Sequence, residues 1–76
     1  MATLARLSSC TITMYAADHL PPHFHVRMVD GREALVEIST LSSLRGWMRP
    51  RERTEAMTWA AANLSLLSAK WKELNP

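Results

Sequence analysis

Polar and apolar residues alternate with a period of two in several stretches of this 76-residue chain. That period is the one of a β-strand whose two faces have different surroundings. The alternation predicts strands at about 10–15, 23–29 and 32–38 and allows a short fourth strand at 43–47. Asp30 and Gly31 lie between the second and third strands and predict a tight hairpin turn, because glycine readily adopts a positive φ.

The pattern changes near residue 50, where apolar residues begin to recur every three or four positions. Pro50 suits the first position of a helix, since its missing N–H has no partner there. We therefore expect one long helix over about 50–74, with an apolar stripe that packs on the sheet. The stripe consists of Met57, Ala60, Ala61, Leu64, Leu67, Ser68, Trp71 and Leu74. The predicted fold is a single α+β domain over 1–76: a small antiparallel three- to four-stranded sheet followed by one long C-terminal helix packed on it.

Three helix residues fall outside this stripe. At about 100° per residue, Trp59, Ala62 and Leu66 lie on nearly the opposite side of the helix. A tryptophan and a leucine two turns apart on one face are typical of a contact surface. They predict a homo-oligomer or a small partner protein, with the alternative that a loop around Trp47 folds over them.

Composition limits the class of protein. An apolar content of 47% with three tryptophans indicates a globular domain. Cys10 is the only cysteine, which excludes an internal disulfide and fits a reducing compartment. We find no apolar run long enough for a signal peptide or a membrane span, so we expect a cytoplasmic protein without a membrane partner. The net charge of +2 is too small to indicate nucleic acid by itself.

The candidate chemistry is concentrated in the string Asp18-His19-Leu20-Pro21-Pro22-His23-Phe24-His25, which contains all three histidines. The two prolines fix φ and favour extended geometry in the residue before them, so this connector should be stiff. Period-two alternation places the last two histidines and the following arginine on one strand face. The first two residues of the string can fold back over that face. The residues expected to meet there are Asp18, His19, His23, His25 and Arg27.

This string, with the Gly31-x-x-Ala34 turn, the Pro50-Arg51-Glu52 helix start and Trp71, resembles the bacterial domain-of-unknown-function family 4160. The resemblance extends from Thr3-Leu4 to Trp71, and the segment from Arg27 to Arg32 is a residue longer than in many relatives. Members are small uncharacterised proteins, often encoded beside a second small protein, and the pair is sometimes described as a toxin–antitoxin module. The resemblance thus implies a fold outline and a partner rather than an activity.

Three functions fit these observations. The first is an interaction module, or a component of a toxin–antitoxin pair, that binds a partner protein and needs no cofactor. In this interpretation Asp18 caps the connector and the histidines bond to backbone carbonyls.

The second function is metal-independent cleavage of RNA. His23 and His25 would form the acid–base pair, with His19 next in order and Asp18 orienting one imidazole. Cationic side chains would bind the phosphate. These are Arg27, Arg45, Arg49, Arg51 and Arg53.

The third function is metal binding. Two imidazoles on one strand face, at His23 and His25, suit a divalent transition metal such as Zn, Mn, Fe or Cu. His19 or Asp18 would complete three or four ligands. The sequence alone leaves the choice among the three functions open.

Overall fold

Five antiparallel strands lie side by side in the order in which they follow along the chain, and two helices come after them. The computed structural model describes all 76 residues. The elements are β1 (Ala2–Arg6), β2 (Cys10–Met14), β3 (His23–Met28), β4 (Glu33–Glu37), β5 (Ser43–Arg45), α1 (Pro50–Ala62) and α2 (Leu64–Leu74). The α+β class is confirmed. Neither helix has the length and apolar character needed to cross a membrane.

The core lies between one face of the sheet and the helices. Strands β2, β3 and β4 contribute every second residue to it, as the alternation predicts. These core residues are Cys10, Ile12, Met14, Phe24, Val26, Met28, Ala34 and Val36. The helices cover them with Ala56, Ala60, Leu67 and Trp71. The second face of the sheet is mostly polar, with the buried Leu35 as an exception.

Side chains on the second face form rows across the strands. The register of the pairing defines each row. One row contains Arg6, Thr11, Arg27 and Glu33. The next row contains Thr3, Thr13, His25 and Leu35.

The sheet has five strands rather than the predicted three to four, because residues 2–6 form an additional edge strand. Sequence reasoning predicted no element there, since these residues show no clear alternation. The structure gives the reason: the pairing of β1 with β2 shifts register between Thr3 and Ala5. A bulge of this kind breaks the period of two.

The predicted single helix is divided at Asn63, whose φ of −130° and ψ of 29° are not helical. Its side-chain amide donates a hydrogen bond of 2.8 Å to the carbonyl of Trp59. Asparagine side chains compete with the helical backbone in this way. The buried residues Ala60 and Leu67 keep a spacing of seven across the break, so both helices bury the same face. The predicted stripe is nevertheless too wide. Its members Ala61, Leu64 and Ser68 are exposed.

The predicted Asp30–Gly31 turn joins β3 and β4, with Gly31 at a φ of 95°. Arg32 follows the glycine and ties this turn to the start of α1. Its guanidinium donates hydrogen bonds of 3.0 and 2.9 Å to the two carboxylate oxygens of Glu52, and one of 2.7 Å to Asp30. The pKa of Glu52 is lowered: burial opposes this, but the N–H of Arg49 and the Arg32 guanidinium outweigh it.

The connector between β2 and β3, residues 15–22, is held by the end of α2. The N–H of Ala17 donates to the carbonyl of Leu74 at 3.3 Å, and the N–H of Asp18 donates to Asn75 Oδ1 at 2.7 Å. The Asn75 amide nitrogen in turn donates to the carbonyl of Tyr15 at 3.3 Å. These bonds connect residues 57 to 60 positions apart and fix where the connector crosses the sheet.

Candidate metal centre

Two histidine nitrogens converge on a single carboxylate oxygen. His23 Nε2 lies 3.0 Å from Asp18 Oδ2, and His25 Nε2 lies 3.2 Å from the same atom. The three potential ligand atoms are all within 4.8 Å of one another. Strand β3 supplies both imidazoles from one face, and the connector brings the carboxylate over them.

The other nitrogen of each ring is also engaged. His23 Nδ1 lies 2.7 Å from the carbonyl oxygen of Pro21, and His25 Nδ1 lies 3.1 Å from Glu33 Oε1. A carbonyl can only accept, so His23 Nδ1 carries the hydrogen, and the Glu33 carboxylate requires the same of His25. In a neutral ring with this tautomer, Nε2 has a free lone pair. Where Nε2 also carries a hydrogen, it donates that hydrogen to Asp18 Oδ2, which lies 3.0 Å from His23 Nε2 and 3.2 Å from His25 Nε2.

The cluster is buried but has an approach from outside. The His23 side chain is 0% exposed, that of His25 11% and that of Asp18 17%. Trp71 lies with its ring centre 5.3 Å from that of His23, and Tyr15 packs edge-on against His25 at 4.5 Å. A groove of about 590 Å³ opens beside the carboxylate, lined by Ala17, Asp18, Leu20, Trp71, Leu74, Asn75 and Pro76.

Asp18 is a carboxylate near neutral pH. Desolvation by burial tends to raise its pKa, but the hydrogen bond with His25 and the N–H of His19 outweigh that effect. The N–H of His19 donates to Asp18 Oδ1 at 2.8 Å. The pKa of Asp18 is therefore below its usual value. Its Oδ1 accepts from the backbone, and its Oδ2 faces the two imidazoles.

The third histidine stands apart from this convergence. The His19 side chain is 65% exposed, and its ring stacks on that of His23 with a centre-to-centre distance of 4.9 Å. Its Nε2 is 3.7 Å from Asp18 Oδ1, the oxygen that does not face the other rings. His19 therefore covers the cluster rather than completing it.

The five arginines expected to bind phosphate do not form one group. Arg49 pairs with Asp30 and Glu52 at the start of α1. Arg51 and Arg53 are exposed on the first turns of that helix. The remaining two lie on strands, Arg27 in β3 and Arg45 at the end of β5.

The three residues of the predicted partner interface differ in burial. Trp59 is half-buried and packs against the core, whereas Ala62 and Leu66 are exposed. Trp47 is 63% exposed and lies under the guanidinium of Arg32, 5.3 Å from the ring centre.

Two residues that support the cluster were missed by sequence reasoning. Glu33 follows the hairpin and reaches His25 across strands β3 and β4, in a contact that depends on the exact register of the pairing. Asn75 positions Asp18 from the far end of the chain. The alternation of the hairpin strands puts Glu33 on the same sheet face as His25, and this signal could have identified Glu33. No local sequence pattern identifies Asn75.

Fold and site together define a small α+β domain with a buried Asp–His–His cluster. Residues 10–72 match the family model described as Domain of unknown function (DUF4160), and the chain belongs to this family. Comparison with curated proteins and with solved structures gives no match. The family assignment confirms the resemblance seen in the sequence, while the association with toxin–antitoxin pairs stays a prediction.

Proposed function

We propose that this protein is a metal-binding domain in which Asp18, His23 and His25 hold one divalent transition metal ion. The observation that supports this most is the orientation of the two imidazoles. Each gives its Nδ1 hydrogen to a fixed acceptor and directs Nε2 to the same place. Histidine ligands of metals are oriented in this manner by acceptors on their second nitrogen.

The two oxygen–nitrogen spacings fit a coordination polyhedron. With metal–ligand bonds of about 2.1 Å, two ligand atoms are about 3.0 Å apart at right angles and about 3.4 Å apart at the tetrahedral angle. The two oxygen–nitrogen distances of 3.0 and 3.2 Å fall in this interval. The two imidazole nitrogens lie within 4.8 Å of each other, and binding one ion would bring them to about 3.0–3.4 Å while the carboxylate moves little relative to either ring.

Two imidazoles and one carboxylate suit Zn²⁺ and Fe²⁺ best among common metals. Three protein ligands leave at least one coordination position for water or another small ligand, which is the pattern of reactive rather than purely structural sites. A groove lies beside Asp18, which is the one proposed ligand that lines it. The open position supports a role in binding or activating a small ligand at the metal.

The other two functions draw less support from the geometry. An acid–base pair acting on RNA needs ring nitrogens that reach a polymer, and here both Nε2 atoms face a largely buried carboxylate. A partner protein, including one of the toxin–antitoxin kind, is compatible with the metal site and stays a prediction, for which the exposed Leu66 and Trp47 are candidates.

Elemental analysis and calorimetry test the proposal directly. Protein purified without chelators or a histidine tag should contain close to one equivalent of metal. After dialysis against chelator it should bind Zn²⁺, or Fe²⁺ without oxygen, at one site per chain. His25→Ala should remove the site. His19→Ala is the matched control, because it deletes an exposed histidine outside the convergence and should leave stoichiometry and affinity within about twofold.

The result that contradicts the proposal is equally concrete. Folded wild-type protein, verified by circular dichroism, that binds neither ion more tightly than the His25→Ala variant would rule the site out. Loss of binding in His19→Ala but not in His25→Ala would show that the exposed ring, not the buried cluster, is the ligand.

A further inference from the structure

A second concave surface lies on the face of the sheet opposite the helices. It is a groove of about 320 Å³ over β1, β2 and β3. Its polar lining consists of Thr3, Arg6, Thr11, Thr13 and Arg27, and the other six lining residues are apolar. The groove shares no residue with the Asp–His–His cluster, although Thr13 is the cross-strand partner of His25.

Two arginines in this groove have no counter-charge. Arg6 and Arg27 lie in the same row of the sheet with Thr11 between them, since each is a cross-strand partner of that threonine. Neither forms an ion pair, whereas Arg32 and Arg49 are paired with carboxylates. The next residue in the row, Glu33, directs its carboxylate to His25 instead. Two positive charges, one on β1 and one on β3, are thus left on either side of Thr11 at the groove.

Thr13 provides an independent indication of a ligand. Thr13 is 3% exposed. Its hydroxyl is the one buried side-chain oxygen or nitrogen in the protein without a hydrogen-bond partner. An unpaired buried hydroxyl is unfavourable and uncommon in native proteins. Since this threonine lines the groove, a ligand oxygen there would supply the missing partner.

From these two observations we infer that the groove binds a phosphomonoester of about the size of a mononucleotide, with its phosphate held by Arg6 and Arg27. Guanidinium groups match phosphate oxygens with paired hydrogen bonds. A carboxylate has one charge and two oxygens and is satisfied by a single arginine. Two arginines and threonine hydroxyls match the two charges and three terminal oxygens of a phosphomonoester.

The size of the groove favours a small molecule over a polymer. Its volume is near the lower end of the range of about 300–1,000 Å³ found for small-molecule sites. A nucleic acid would need a longer cationic track, and the row ends in the acidic Glu33. The inference does not depend on the metal, because none of the three proposed metal ligands lines this groove.

Calorimetric titration with uridine 5′-monophosphate, and with uridine as the probe that lacks phosphate, tests this inference at low ionic strength. The nucleotide should bind one site per chain, and uridine should bind at least tenfold more weakly. Arg6→Gln and Arg27→Gln should each weaken nucleotide binding by tenfold or more. Arg53→Gln removes the same charge from an exposed, unpaired arginine of α1 and should change the affinity less than twofold.

Thr13→Val separates the ligand site from general charge attraction. The valine fills the same volume without a hydroxyl, so the folded protein should melt at an equal or higher temperature while nucleotide affinity falls severalfold.

Equal loss of nucleotide affinity in Arg53→Gln and Arg27→Gln, or equal binding of nucleotide and uridine, would overturn the inference. So would affinity for oligouridylates that rises steadily with length, which indicates a nucleic-acid track. Repeating the titration with the Asp18→Ala variant distinguishes this site from the metal site, because Asp18 does not line the groove and only metal binding should be lost.

Discussion

Asn75 Oδ1 accepts a hydrogen bond of 2.7 Å from the backbone N–H of Asp18, so the end of α2 determines where the candidate metal-binding carboxylate lies. The same side chain donates through Nδ2 to the carbonyls of Tyr15 and Trp71, both at 3.3 Å. One asparagine therefore joins the last turn of the helix to the connector at Tyr15 and at Asp18. Helix docking and the geometry of the cluster are coupled through it.

We expect Asn75→Ala to weaken metal binding about tenfold without removing a ligand, because the Asp18 backbone loses a fixed partner. The free energy of unfolding should also fall by about 1 kcal/mol for the lost hydrogen bonds. Calorimetric metal titration and thermal denaturation measure the two effects. Asn63→Ala is the control: it loses a comparable amide–carbonyl bond to Trp59, remote from the cluster, and should keep metal affinity.

Glu33→Ala should lower metal affinity by 10- to 100-fold, the usual effect of removing an acceptor that orients a histidine ligand. Glu33→Gln retains an oxygen for His25 Nδ1 and should recover part of that loss. The comparison residue is Glu37, on the same strand, whose carboxylate instead accepts bonds from Ser39 and Thr40. If Glu37→Ala weakened binding as much as Glu33→Ala, general loss of negative charge would be the better explanation.

Much of the fold follows from period-two alternation, and its failures have physical causes. Residues on β2, β3 and β4 alternate because one face meets the core and the other does not. Strand β1 is an edge strand with a bulge, so its sequence carries no such signal. The break at Asn63 depends on a side-chain bond to one helical carbonyl, which the apolar stripe does not encode.

The site was predictable to the same limited degree. His23 and His25 lie on one strand face, as residues two apart in a strand must. The approach of Asp18 depends on how the connector crosses that face, and its support by Glu33 and Asn75 requires strand register and helix docking. Arg6 escaped notice because its strand was not predicted. Contacts between residues distant in sequence are what local patterns do not contain.

Glu55 makes stability depend on pH in acid. Hydrogen bonds from the Ser8 hydroxyl, and from the hydroxyl and N–H of Ser9, lower the pKa of Glu55 to about 2 from 4.5. A group whose pKa is lower in the folded state stabilises the protein above its unfolded pKa, and that stabilisation is lost as pH falls through the folded pKa.

Wild-type stability should therefore decline between pH 4.5 and pH 2 more steeply than that of Glu55→Gln, as measured by urea denaturation at each pH. Ser9→Ala should reduce the difference, because it removes one of the donors. Parallel curves for wild type and Glu55→Gln throughout this interval would show that the bonds between α1 and the β1–β2 turn do not contribute.

Gly46 follows β5 where the chain passes closely over β4. Its φ is 83°, and a Cβ at this position would lie 2.4 Å from the carbonyl oxygen of Glu33 and 2.9 Å from Ala34 Cα. Both obstacles are backbone atoms, which cannot move aside as a flexible side chain can. Gly46→Ala should thus destabilise the protein by about 3 kcal/mol, from steric overlap together with an unfavourable φ.

Gly31→Ala separates these two causes. Gly31 also has a positive φ, 95°, but no atom lies within 4 Å of the Cβ that a substitution would add. Only the conformational cost remains there, and we expect a loss of about 1 kcal/mol. Urea denaturation of both variants gives the comparison. Because the overlap at Gly46 involves the carbonyl of Glu33, Gly46→Ala should additionally weaken metal binding, whereas Gly31→Ala should not. Equal destabilisation by the two substitutions would mean that β5 can move away from β4 at little cost.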